Sequence, residues 1–222
     1  MIRQDEDLAD GLAALVALDA RLGPIAAQAG VLPLRKGLQA MPGLISVMVA
    51  QQVSRASAAA IFERLAGLVD LTDAAAILAL DDAQFRQAGL SRAKERTLLA
   101  IAAAVITGTL DFERVAQAEV AAALRELTAI PGIGPWTAES YLLFSLGHAD
   151  VFPAGDLALQ IAVADGLGLE GRPSDKALRA IAEFWSPYRS VAARLFWAYY
   201  ATITRRDAAP AAMAEGFTKP TR

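Results

Sequence analysis

The sequence predicts an all-α protein, a compact bundle of about ten short helices, on three grounds. Alanine, the best helix former, supplies 50 of the 222 residues, and β-branched residues are scarce beside it. Apolar residues recur at helical spacing, first at Leu8, Leu12, Leu15 and Val16. Capping residues and glycine or proline stops punctuate the chain at short intervals.

The elements follow in order. Residues 5–20 read as an amphipathic helix, and Pro24, Gly30, Pro33 and Pro42-Gly43 mark a looser segment after it. Two helices occupy 43–67, with Gln51-Gln52-Val53-Ser54 at their junction. Asp73 and Asp81 cap two short helices, and Gly89 closes the second. Ser91 caps a long helix over 92–107, stopped by Gly108, and another helix runs over 117–128. The link Ile130-Pro131-Gly132-Ile133-Gly134-Pro135 leads into a helix over 135–146, where Pro135 suits the first turn. Gly147 ends it. Asp156 opens a helix to about residue 165, Ser174 caps one to Trp185, and Pro187 starts a last helix to about residue 204. Arg205 and Arg206 then sit at its negative end. Residues 1–206 are expected to form one helical domain, and 207–222, rich in Ala, Pro and Gly, a loose tail.

Composition excludes several chemistries. There is no cysteine, which removes disulfides, cysteine-ligated zinc, iron–sulfur clusters and a cysteine nucleophile. A single histidine, His148, removes multi-histidine metal sites and argues against a Ser-His-Asp triad; it receives no role. The start, MIRQDEDLAD, is acidic where a signal peptide is basic and then apolar, and the most apolar stretch, 191–204, is broken by Arg194. A cytoplasmic protein without membrane association is expected. The net charge of -3 argues against nucleic-acid binding unless it uses backbone amides, helix dipoles and a local basic face.

Three segments carry candidate chemistry. In Leu127-Thr128-Ala129-Ile130-Pro131-Gly132-Ile133-Gly134-Pro135-Trp136-Thr137-Ala138, two closely spaced glycines permit a sharp turn and close approach of another molecule. The helix that follows begins with outward N–H groups at its positive end, which suits a phosphate diester without reading sequence. The alternative is an ordinary link whose glycines only cap helices. Asp156 ends Val151-Phe152-Pro153-Ala154-Gly155 and opens a helix. An aspartate there is commonly just an N-cap, but the positive helix end favours a negative charge that could stabilise a cationic transition state or orient water. The stretch Trp185-Ser186-Pro187-Tyr188-Arg189-Ser190-Val191-Ala192-Ala193-Arg194-Leu195-Phe196-Trp197 holds two of the three tryptophans. Such rings serve as core or, if exposed, as a platform for a nucleobase.

In this order the segments resemble the helix-hairpin-helix superfamily of DNA base-excision glycosylases, and most closely its DNA-3-methyladenine glycosylase II, AlkA-like branch. Four blocks carry the resemblance: ISVMVAQQVS from Ile45, LTAIPGIGPWTAE from Leu127, VFPAGDLAL from Val151, and WSPYRSVAARLFW from Trp185. Ser91-Arg92-Ala93-Lys94 adds a less specific fifth. The resemblance implies a two-lobed helical bundle containing the hairpin motif, with the active-site cleft between its lobes. It implies a glycosylase that flips alkylated bases such as 3-methyladenine out of double-stranded DNA and hydrolyses the N-glycosidic bond, starting base excision repair. A non-catalytic DNA-binding or damage-sensing module remains the alternative.

Roles follow from the same resemblance. Asp156 matches the catalytic aspartate. Trp197 matches a tryptophan stacked on the flipped base, Trp136 another pocket wall, and Ser140 a pocket position that holds an aromatic ring in some relatives. Backbone N–H groups of Gly132, Gly134 and Thr137 match a phosphate site. Carbonyls of Thr128, Ile130 and Ile133 match a structural site for Na+ or K+, no cofactor being implied for catalysis. Gln52 matches the wedge that fills the gap left by the extruded base, with Val53 as the other candidate. Bifunctional relatives carry a lysine where Trp136 stands. Lys36, Lys94, Lys176 and Lys219 lie elsewhere, so no lyase activity is expected. The chain is too short for the extra N-terminal β-rich domain of long members, and a monomer is expected. Arg92, Lys94, Arg96, Arg189, Arg205 and Arg206 are further candidates for phosphate contact, with surface solvation the equal alternative.

Overall fold

A computed structural model describes residues 1–205 and 209. Among them are thirteen α-helices, one 3-10 turn and no strand. None of these helices is long and apolar enough to cross a membrane. The segment 207–222, expected as a loose tail, lies outside the described residues apart from Ala209.

The chain divides into two units. The first comprises Met1–Arg35 and Gly147–Ala209. Its helices are α1 (Asp5–Leu18), α2 (Leu22–Ala29), α11 (Leu157–Gly166), α12 (Asp175–Ala182) and α13 (Arg189–Thr204), with the 3-10 turn at Glu183–Trp185. Helix α13 is the hub, packing against α1, α2 and α11. Nine of its sixteen residues are buried, from Ser190 through Tyr199, so it reads as a core helix rather than a surface one. Its Arg194 is buried too, and the guanidinium donates to the carbonyls of Leu34 and Arg35. Burial, and secondarily the positive charge of Arg35, pulls its pKa down to about 10. The Trp185 indole, fully buried, donates to Asp19 Oδ2 at 3.0 Å, and its ring packs against Phe152 and Phe196.

The second unit includes Lys36–Leu146. It holds α3 (Ala40–Ala50), α4 (Arg55–Leu68), α5 (Ala74–Leu78), α6 (Asp82–Ala88), α7 (Arg92–Ile106), α8 (Phe112–Gln117), α9 (Val120–Thr128) and α10 (Pro135–Phe144). Helix α3 is central, touching α4, α7, α8 and α10. Leu44, Ile45, Met48 and Val49 are buried on it, so residues at three- and four-residue spacing meet several neighbours.

Five caps stand where expected, and Ser54, which the sequence places only at a junction, caps α4 as well. Ser54, Asp73, Asp81, Ser91, Asp156 and Ser174 each accept a backbone N–H from the first turn of the helix they open. About ten helices are expected and thirteen are present among the described residues, the additions being α2 and α8. Pro24 and Pro42 do not loosen the chain. Each is the third residue of a helix, α2 and α3, where a backbone N–H has no intrahelical partner to lose. The helix expected over 117–128 is α9, and a further short helix, α8, precedes it. Asp111 caps the six-residue α8 by accepting from Glu113 and Arg114, and extended Ala118 separates it from α9.

Candidate active site

The hairpin between α9 and α10 lies in the second unit. Its two glycines differ in what they do. Gly132 has φ +89°, and a Cβ there would sit 1.9 Å from Thr97 Oγ1 on α7, so both backbone and neighbour exclude a side chain. Gly134 has an ordinary φ of −87° and is exposed, and a Cβ there would meet nothing within 4 Å. The protein itself gives no reason for a glycine at 134. Gly134 is also the N-cap of α10, and it supplies no side-chain cap, with Pro135 at N1. The start of α10 therefore presents a positive dipole end to which its N-cap residue Gly134 offers no side-chain cap, beside a position left open for close approach.

Thr137 is buried, and its Oγ1 accepts from Gln51 Nε2 at 2.6 Å. Gln51 is where α3 ends and the turn to α4 begins. This ties the turn carrying the wedge candidates to the hairpin, a contact across 86 residues that no local motif signals. The turn itself is exposed at Gln52 and Val53. Gln52 takes φ +56°, a left-handed conformation that costs a non-glycine residue about 1–3 kcal/mol. A second tether is Lys94 Nζ, which donates to Val49 O at 2.8 Å at the negative end of α3. Desolvation lowers its pKa from the ordinary lysine value.

Of the cation-site candidates, Ile130 O accepts from Ile133 N at 3.0 Å, while the carbonyls of Thr128 and Ile133 accept no backbone hydrogen bond among the described residues. Thr128 ends α9, so its carbonyl stands at a negative helix end. Trp136 is half-buried. Ser140, one turn on, is fully buried, and its Oγ has no hydrogen-bond partner among the described residues.

Asp156 and Trp197 belong to the first unit. The backbone from Phe152 to Asp156 forms a tight turn, with Ala154 N donating to Phe152 O and Asp156 N to Pro153 O. Gln160 Nε2 clasps the same turn through Ala154 O at 2.9 Å. Asp156 is 8% exposed. Its Oδ1 accepts from Leu159 N at 3.0 Å, the N-cap bond, and from Trp197 Nε1 at 3.2 Å. Trp197 is 2% exposed. Expected as a stacking wall, it meets the aspartate through its N–H edge.

Several basic candidates are engaged within the protein. Arg92 pairs with Asp82 and Glu95, and Arg189 with Asp150 and Glu183. Arg96 is exposed, Arg205 closes α13 in the left-handed conformation, and Arg206 lies outside the described residues.

Fold and motifs together define a class. Residues 45–187 match the HhH-GPD superfamily of base excision DNA repair proteins, and the chain belongs to that family. Among individual relatives, DNA-3-methyladenine glycosylase 1 of Schizosaccharomyces pombe is 32% identical over 161 residues, 69% of each chain. YfjP of Bacillus subtilis is 30% identical over 121 residues, 54% of this chain and 42% of its own length. The chain thus spans about two fifths of that relative. Among solved structures, S. pombe 3-methyladenine DNA glycosylase (Mag1) in complex with abasic DNA superposes with a TM-score of 0.77 at 27% identity, over 86% of this chain and 95% of that one. DNA-3-methyladenine glycosidase from Bacillus halodurans gives 0.72 at 33% identity, over 88% and 90%.

Proposed function

We propose that the protein is a monofunctional DNA glycosylase that extrudes alkylated, cationic bases such as 3-methyladenine from double-stranded DNA and hydrolyses the N-glycosidic bond. The observation that carries this is the Asp156 carboxylate, held on one oxygen by two donors in a chain that also presents the α9–α10 hairpin, whose N-cap Gly134 supplies no side-chain cap.

Alkylation at a ring nitrogen leaves the base positively charged, so it departs neutral when the C1′–N bond breaks and takes the bonding electron pair. No acid is needed, which fits a chain with a single histidine. Positive charge then develops on the sugar. Asp156 stabilises it electrostatically, and water attacks C1′, forming the new C–O bond and losing its proton to Asp156 or to solvent. Extruding the nucleotide costs a few kcal/mol of stacking and pairing, and less at a damaged pair. Gln52 or Val53 offsets part of that by filling the gap, and the turn that carries them is braced on the hairpin through Gln51.

Phosphate binds at the α10 start through the N–H groups of Gly132, Gly134 and Thr137, which needs no net basic charge. The carbonyls of Thr128 and Ile133, which accept no backbone hydrogen bond among the described residues, suit a monovalent cation, which with Ile130 O they would hold against that phosphate. Trp136 and Ser140 line the base pocket in this reading, and the enzyme works as a monomer.

The test is single-turnover release of 3-methyladenine from methylated duplex DNA. Wild type releases the base rapidly, and Asp156→Asn releases it at a much slower but measurable rate. Equal rates for the two would remove Asp156 from the mechanism, and no release by either would favour a binding module. Borohydride treatment of the reaction on abasic DNA traps no adduct if the enzyme lacks lyase activity.

A further inference from the structure

The polar edge of Trp197 meets the proposed catalytic carboxylate. A ring that stacks on an extruded base must offer a face. At 2% exposure Trp197 offers little, and its indole N–H lies 3.2 Å from Asp156 Oδ1. The same oxygen accepts the Leu159 N–H at 3.0 Å. One donor comes from α11 and the other from α13, two helices packed against each other in the same unit. An N-cap bond alone fixes one oxygen but leaves the carboxylate plane free to swing about it. A second donor from a buried, rigid ring removes that freedom and so sets where Oδ2 stands. The ring itself is held by its own burial, being 2% exposed within α13.

We infer that Trp197 is a positioning residue for Asp156, acting through its indole N–H rather than as a wall for the base. This rests on the reading of Asp156 as the catalytic group. Trp197→Phe keeps an aromatic ring and removes the donor. The benzothiophene analogue of tryptophan keeps the shape as well, and serves if the phenylalanine variant folds poorly. Each is made alone and in the Asp156→Asn background. Single-turnover release of 3-methyladenine, affinity for abasic-site duplex, and thermal unfolding are measured for all.

The expected result is a loss of roughly tenfold in release rate for either donor-less variant, the scale of one hydrogen bond to a charged acceptor. Affinity for abasic DNA stays as in wild type. In the Asp156→Asn background the same change causes no further loss, because Trp197 acts only through the carboxylate. A release rate within twofold of wild type for the benzothiophene variant overturns the inference. So does an equal loss in both backgrounds, which would mark a stacking or merely structural ring. Should Asp156→Asn itself release base at the wild-type rate, the catalytic assignment fails, a result distinguishable from either of these.

Discussion

Replacing each hairpin glycine by alanine separates a glycine the fold requires from one a partner requires. At Gly132 the new Cβ must adopt φ +89° and would sit 1.9 Å from Thr97 Oγ1 and 2.9 Å from its Cβ. Thr97 is buried, and its hydroxyl already donates to Ala93 O, so it has little room to yield. Left-handed strain of about 1–2 kcal/mol and overpacking of about 1–3 kcal/mol sum to a loss of about 2–5 kcal/mol. At Gly134 the backbone is ordinary and no atom lies within 4 Å, so Gly134→Ala changes stability by less than about 1 kcal/mol. Its cost falls on DNA instead, where a methyl group stands between the α10 start and a phosphate. Denaturant unfolding paired with fluorescence anisotropy on duplex DNA reads both quantities. Gly132→Ala shifts the unfolding midpoint strongly. Gly134→Ala leaves it in place and weakens DNA binding by roughly tenfold, the scale of one charge-assisted contact. Equal stability of the two variants, or full DNA affinity in Gly134→Ala, would refute the reasoning.

Further outcomes follow from the same contacts. Asp156→Ala removes the cap of α11 and one acceptor of the Trp197 N–H, and lowers stability by about 2–4 kcal/mol, whereas Asp156→Asn keeps an oxygen for both and stays within about 1 kcal/mol, as chemical denaturation would show. Gln51→Met removes the donor to Thr137 Oγ1; unfolding should record a loss of about 1 kcal/mol and anisotropy a weaker grip on abasic DNA. Hydrogen bonding from Arg21 and, less strongly, Trp185 holds Asp19 down to about 2. A carboxylate depressed in the folded state contributes stability above its ordinary value of 3.8 that is lost as pH falls toward 2. Urea titrations between pH 5 and 2 should therefore slope more steeply in wild type than in Asp19→Asn. Exchanging Na+ and K+ for tetramethylammonium at constant ionic strength should weaken DNA binding if the Thr128, Ile130 and Ile133 carbonyls hold a cation; an unchanged affinity speaks against that site.

Much of the architecture was legible because its signals are local. Asp73, Asp81, Ser91 and Ser174 cap helices with oxygens three residues from their donors, a spacing visible in any sequence. Proline was misread where position within a turn mattered: Pro24 and Pro42 disrupt nothing in a first turn, and composition does not reveal which turn a proline occupies. The six residues of α8 are too few for apolar periodicity to register. At the site, the two readings of Asp156 are not rivals, since the same Oδ1 caps α11 and meets Trp197. What the sequence could not carry were contacts closed by tertiary packing. Trp197 reaches Asp156 across 41 residues and Gln51 reaches Thr137 across 86. Nor could it tell that a Cβ at Gly132 would strike Thr97 while one at Gly134 would meet nothing within 4 Å among the described residues.

The account stands or falls on what leaves methylated DNA in the presence of this protein. Chromatography of the supernatant over the time of one wild-type turnover should show free 3-methyladenine with wild type, only a small fraction of that amount with Asp156→Asn, and an intact sugar–phosphate backbone in both. Base release that persists undiminished in the asparagine variant, with folding and DNA affinity matched, would contradict it.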